Sequence, residues 1–168
     1  MSLLDKNCGG TSVPNYAFCF LFVDNASLTT APDLPATTLA TGCYVAMFSG
    51  CSSLTTAPEL PAISLADTCY FHMFRNCSSL TAAPILPAKI LSNGCYLRMF
   101  EGCSKLKSIT VHFTSWDGAV NATLNWVNGL APGGGQFHCR TGLNTTSPGI
   151  SRNPSGWTVI KDVPEPAP

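Results

Sequence analysis

The residues with the strongest latent chemistry are nine cysteines and three histidines, and their spacing decides what they can do. Six cysteines form pairs eight residues apart: Cys43 with Cys51, Cys69 with Cys77, and Cys95 with Cys103. On a helix that separation is about 12 Å along the axis, and neighbouring helices lie about 10 Å apart. A disulfide needs Cα atoms within about 7 Å. These six are therefore expected as free thiols serving as small core residues, too spread out to converge on one metal ion. Nine is odd, so a monomer keeps at least one free thiol, and Cys8 with Cys19 is the one pairing that spacing leaves open. His72, His112 and His138 stand in different parts of the chain without a spaced carboxylate partner. Gly133-Gly134-Gly135 has no lysine after it and reads as a loop rather than a phosphate cradle. The expectation is no enzyme, no metal and no cofactor.

The elements that hold these residues come from a repeat. The phrase from Cys43 to Pro61, CYVAMFSGCSSLTTAPELP, returns from Cys69 and in part from Cys95, each copy beginning 26 residues after the last. A degenerate copy begins at Ala17. Such self-similarity is the signature of stacked units that each contact only their neighbours. The chain divides into an N-terminal cap at 1–16, a four-unit array at 17–112 and a C-terminal cap module at 113–168.

Within a unit, Cys43, Tyr44, Met47, Phe48 and Cys51 fall on an arc of about 140° of a 3.6-residue wheel, which predicts a short helix with that arc inward. The same arc recurs in Cys69, Met73, Phe74 and Cys77, and in Cys95, Met99, Phe100 and Cys103. Leu54, Leu80 and Leu106 add one core leucine per unit. The columns Ala46/His72/Arg98 and Ser49/Arg75/Glu101 vary and are expected on the solvated side. Gly50, Asn76 and Gly102 are expected to end the helices. A short strand is expected at Ser53–Ala57, followed by a stiff proline-bounded return segment. The last unit loses both prolines and alternates like an ordinary strand from Lys105 to Phe113. One more helix is expected from Asn121, with strands at Gln136–Arg140 and Gly156–Ile160.

Strands stack at about 4.8 Å but helices at about 8–10 Å. The expected fold is thus an α/β solenoid that curves, with a short parallel sheet on one side and helices on the other. Thr29, Thr55 and Thr81 form one column on its strand side, and Thr30 with Thr56 the next, a row of uncharged donors and acceptors suited to an extended ligand.

These phrases resemble the BspA-like branch of leucine-rich repeats, abundant in surface and secreted proteins of gut anaerobes and found also in their prophages. Asn125-Trp126-Val127-Asn128-Gly129 and Pro154 to Val159 are similar to the terminal cap of those arrays. The resemblance spans about residues 17–160. It implies a right-handed strand–helix superhelix and adhesion to protein or glycan at a bacterial cell surface or after secretion; the alternative is a structural spacer or a prophage particle component. No export signal is visible at Met1–Lys6, and the apolar run from Tyr16 to Val23 is too short to cross a bilayer. Charged residues are 11% of the chain and the formal net charge is zero, so no nucleic-acid partner and no membrane insertion are expected.

Overall fold

The computed structural model describes residues 11–164. Among them there is no helix, which overturns the expected α/β solenoid with helices along one side. The five segments expected or suspected to be helical, 15–24, 41–50, 67–76, 93–102 and 120–129, are runs of consecutive tight turns.

The hydrogen bonds show how such a ribbon is made. In the second, alternate N–H groups close turns within the segment: Cys43 to the Ala40 carbonyl, Val45 to Gly42, Met47 to Tyr44, Ser49 to Ala46 and Cys51 to Phe48. The N–H groups between them reach forward to the next copy: Gly42 to the Asp67 carbonyl, Tyr44 to Cys69, Ala46 to Phe71, Phe48 to Met73 and Gly50 to Arg75. Every fourth residue takes a left-handed backbone, at Gly42, Ala46 and Gly50, then Thr68, His72 and Asn76, then Gly94, Arg98 and Gly102. Turns whose third residue has positive φ account for that period. Residues 43, 47 and 51 line up under it as closely as under a helical wheel, so the apolar pattern fits both periods.

The reason a ribbon replaces the helix is the spacing problem. A helix keeps its N–H groups within itself and holds neighbours about 8–10 Å apart. The ribbon gives half of its donors to the neighbour and lets successive copies approach as closely as strands do. Tyr44, Tyr70 and Tyr96 accordingly stack with centroids 5.9 and 6.1 Å apart, and Phe48, Phe74 and Phe100 with 5.6 and 5.8 Å. Phe18 and Phe22 extend these two columns at one end. At the other, Trp126 packs on Tyr96 and Phe100, with Phe113, Trp116 and Phe137 around it.

The opposite side carries parallel rungs. Strands β1 (Ala82–Leu86), β2 (Ser108–Val111), β3 (Gln136–His138) and β4 (Thr158–Ile160) pair in chain order. Single bridges, Ser12–Thr38, Thr30–Thr56 and Thr56–Ala82, stand where the earlier copies come level. The strand expected at Ser53–Ala57 is thus reduced to one bridge at Thr56. Pro58 and Pro84 lack the N–H groups that would lengthen it. β1 and β2 pair at Ala82–Ser108, Ile85–Thr110 and Leu86–Val111, with an irregularity between Ala82 and Ile85, because the last copy supplies N–H groups where the earlier copies have proline.

Between the two sides lies the core. Cys43, Met47, Phe48, Cys51 and Leu54 are fully buried, and so are Cys69, Met73, Phe74, Cys77, Leu80, Cys95, Met99, Phe100, Cys103 and Leu106. Ala46 and Ser49, expected on the solvated side, are 4% and 8% exposed, wedged between larger residues of the adjoining ribbons. Among the described residues no helix is long and apolar enough to cross a membrane.

Candidate functional site

The cysteines are held apart from chemistry by their ribbon positions. The eight in the described region are free thiols, and all but Cys19 are buried; Cys8 lies outside the described residues. The distance argument for keeping them free does not survive the loss of the helices, since stacked ribbons bring Cys43 to Cys69, and Cys69 to Cys95, within about one rung spacing. Orientation is what prevents bridging. Equivalent side chains on stacked copies point the same way, whereas a disulfide needs Cβ atoms turned to within about 4.5 Å. The second thiol of each pair ties one ribbon to the ribbon before it. Cys51 donates to the Phe22 carbonyl, Cys77 to Phe48 and Cys103 to Phe74, at 3.0–3.1 Å. Burial raises Cys43 to about 11 and Cys95 and Cys103 to about 12, so the nucleophilic thiolate is suppressed.

Two of the histidines lie near charged partners among the described residues. His138 Nδ1 lies 3.5 Å from Asp162 Oδ1. Its neighbour Cys139 is buried on the other face of the strand line, so no Cys–His dyad forms. Glu101 is bracketed by Arg75 and Arg98, at 3.8 and 3.6 Å. His72 sits in the same group, its pKa lowered by burial first and then by the charges of Arg75 and Arg98. Among the described residues no three His, Cys, Asp or Glu side chains are placed to hold a metal ion.

Thr29, Thr30, Thr55, Thr56 and Thr81 are all exposed. Thr30, Thr56 and Ala82 are bridged in register, and the line runs on through Ser108, Gln136 and Thr158. Ser108 was legible from the 26-residue register. Gln136 and Thr158 were not, because the spacing changes in the C-terminal module.

Beside this row lies a feature that sequence reasoning missed. Two cavities, of about 330 and 280 Å³, open between the return segments of successive copies and share Glu59 and Pro61. Pro58, Pro84, Pro87 and Ile85 line the first; Asp33, Leu34 and Pro35 line the second. The signal was present in the phrase Pro-x-Leu-Pro, whose single variable position is Asp33, Glu59 and Ile85 in turn. Comparison with protein-family models, curated proteins and solved structures finds no match for this chain.

Proposed function

We propose that the chain is a non-catalytic binding module that presents a rigid, repeated face to a protein or glycan, at a bacterial cell surface or in a secreted protein. The observation that carries this reading is the exposed Thr30 and Thr56 on consecutive parallel rungs, flanked by exposed Thr29, Thr55 and Thr81, on a line of small or polar side chains that runs on through Ala82, half-buried Ser108, Gln136 and Thr158. Hydroxyls repeated at about 4.8 Å offer donors and acceptors at fixed positions. The stacked core holds them in place beforehand, so little ordering is left for binding to oppose. The suppressed thiols favour binding over catalysis. The repeat phrases similar to BspA-like surface proteins add support at the level of sequence.

The test is an array of glycans and surface proteins probed with the whole chain, followed by variants on any ligand found. Thr55→Lys with Thr81→Lys places two charges in the row and is expected to abolish binding. Arg75→Ala with Arg98→Ala is expected to leave it intact. The reverse pattern places binding on the ribbon side and sinks the row.

A further inference from the structure

We propose that the proline-walled groove across the first three repeat copies is a second binding surface, for an extended basic peptide. A lysine or arginine side chain sits between Asp33 and Glu59, and an apolar side chain two residues along rests on Ile85. This inference rests on the reading of the chain as a binding module but uses a different surface from the threonine row.

The groove is a consequence of sequence. Between the first three copies the bridges are Thr30–Thr56 and Thr56–Ala82, and within the return segments only Asp33 of the first copy and β1 of the third carry strand pairing among the described residues. Beyond them each copy places Pro-x-Leu-Pro against Pro-x-Leu-Pro, and proline has no N–H to offer. Leu34, Leu60 and Leu86 still turn into the core, so the segments stay anchored while the space between them stays open. The control lies in the same molecule. Where the next copy has lost its prolines, Ile85 pairs with Thr110 and Leu86 with Val111, and β1 and β2 close.

The lining defines the occupant. The prolines and inward leucines are constant from copy to copy, while the position between them changes from Asp33 to Glu59 to Ile85. All three are exposed, Ile85 by 58%. Among the described residues that line the two cavities there is no lysine, arginine or histidine, and Asp33 and Glu59 put two carboxylates on the groove surface. With rungs about 4.8 Å apart, Asp33 and Ile85 are separated by about 10 Å. An extended peptide running along the stack places side chains of one face about 6.8 Å apart. A cation between the acids and an apolar group two residues later therefore match the spacing. The proline walls are already rigid, which lowers the ordering cost of binding.

The test uses the whole chain and a fluorescein-labelled peptide, Gly-Ser-Lys-Ser-Leu-Ser-Gly, followed by anisotropy. Companion probes replace its lysine by glutamate or its leucine by serine. Calcium alone and a neutral oligosaccharide are run alongside. The lysine–leucine peptide is expected to bind saturably and to weaken with salt, and the glutamate version not to bind. Asp33→Asn with Glu59→Gln is expected to lower affinity about 10-fold or more and to remove the salt dependence, and Ile85→Ser to lower it several-fold. Thermal melts of these surface variants check that folding is retained. Failure to saturate at millimolar peptide, equal binding of the glutamate probe, or indifference to the Asp33/Glu59 change overturns the proposal. So does calcium or oligosaccharide occupying the groove where the peptide does not. If Thr55→Ala with Thr81→Ala abolishes peptide binding while the groove variants do nothing, the groove is wrong and the binding-module reading stands.

Discussion

At the scale of single residues, two side chains pull against their surroundings. Tyr44 is 1% exposed, and its hydroxyl has no hydrogen-bond partner among the described residues. An orphaned buried hydroxyl costs about 1–3 kcal/mol, and the first copy already uses Phe18 at the equivalent place in the column. Tyr44→Phe is therefore expected to leave stability unchanged or raise it by about 1 kcal/mol in a denaturant melt; a clear loss would mean the hydroxyl is bonded. His72 has its pKa lowered by burial and by Arg75 and Arg98. Above the ordinary value of about 6.5 it is neutral in both states and costs nothing. As pH falls below that value, the unfolded chain takes up the proton first, so stability declines. His72→Gln should flatten the acid side of a plot of melting temperature against pH. The thiols belong at this scale too. Ellman's reagent should react slowly with native protein, since burial holds the cysteine pKa values up, and quickly after denaturation.

At the scale of the element, the ribbon and the helix make opposite predictions. Gly94 lies inside the segment expected to be helical, where glycine to alanine would gain about 1 kcal/mol. In the ribbon its φ is +57°, and an added Cβ would stand 3.2 Å from Thr68 Cγ2. Gly94→Ala is therefore expected to destabilise by about 1–2 kcal/mol, and a gain in thermal stability would restore the helix. The far-ultraviolet circular dichroism spectrum should likewise lack the helical double minimum. Glycine has a packing role here as well. A Cβ on Gly42 would fall on the Tyr16 ring, and one on Gly50 on the Asp24 carboxylate. In the two outer left-handed columns, Tyr16/Gly42/Thr68/Gly94 and Asp24/Gly50/Asn76/Gly102, a glycine therefore alternates with a larger residue, which lets the ribbons approach there.

At the scale of the whole molecule, the two ends of the described stack differ in how far their rings are buried. Trp126 is fully buried, while Phe18 and Phe22 are only partly covered. Phe74 stacks between Phe48 and Phe100, so Phe74→Ala should cost about 3–5 kcal/mol in a denaturant melt. Phe22→Ala removes a ring with a neighbour on one side in its column and should cost distinctly less. Equal losses would show that the first ribbon is as firmly buried as the third.

The sequence by itself determined the repeat length, the residues that fill the core and the columns they form, because a 26-residue phrase repeated with Cys, Met, Phe and Leu fixed must place like beside like. It also carried the two clues to the ribbon, Gly/Thr/Gly at 42, 68 and 94 and Gly/Asn/Gly at 50, 76 and 102. These are mostly residues suited to positive φ, four positions from the next left-handed site. It did not decide between a 3.6-residue and a four-residue period. Over nine residues both put Cys43, Met47 and Cys51 on one face, and the middle left-handed positions are Ala46, His72 and Arg98, which carry no such signal. Only the tertiary structure made that choice. Rungs on the threonine side fix the copies about 4.8 Å apart, and a helix cannot follow its neighbour that closely, whereas a ribbon that donates every second N–H across the gap can. The groove was settled at the same level: prolines legible in the sequence became cavity walls because the copies they face are prolines too.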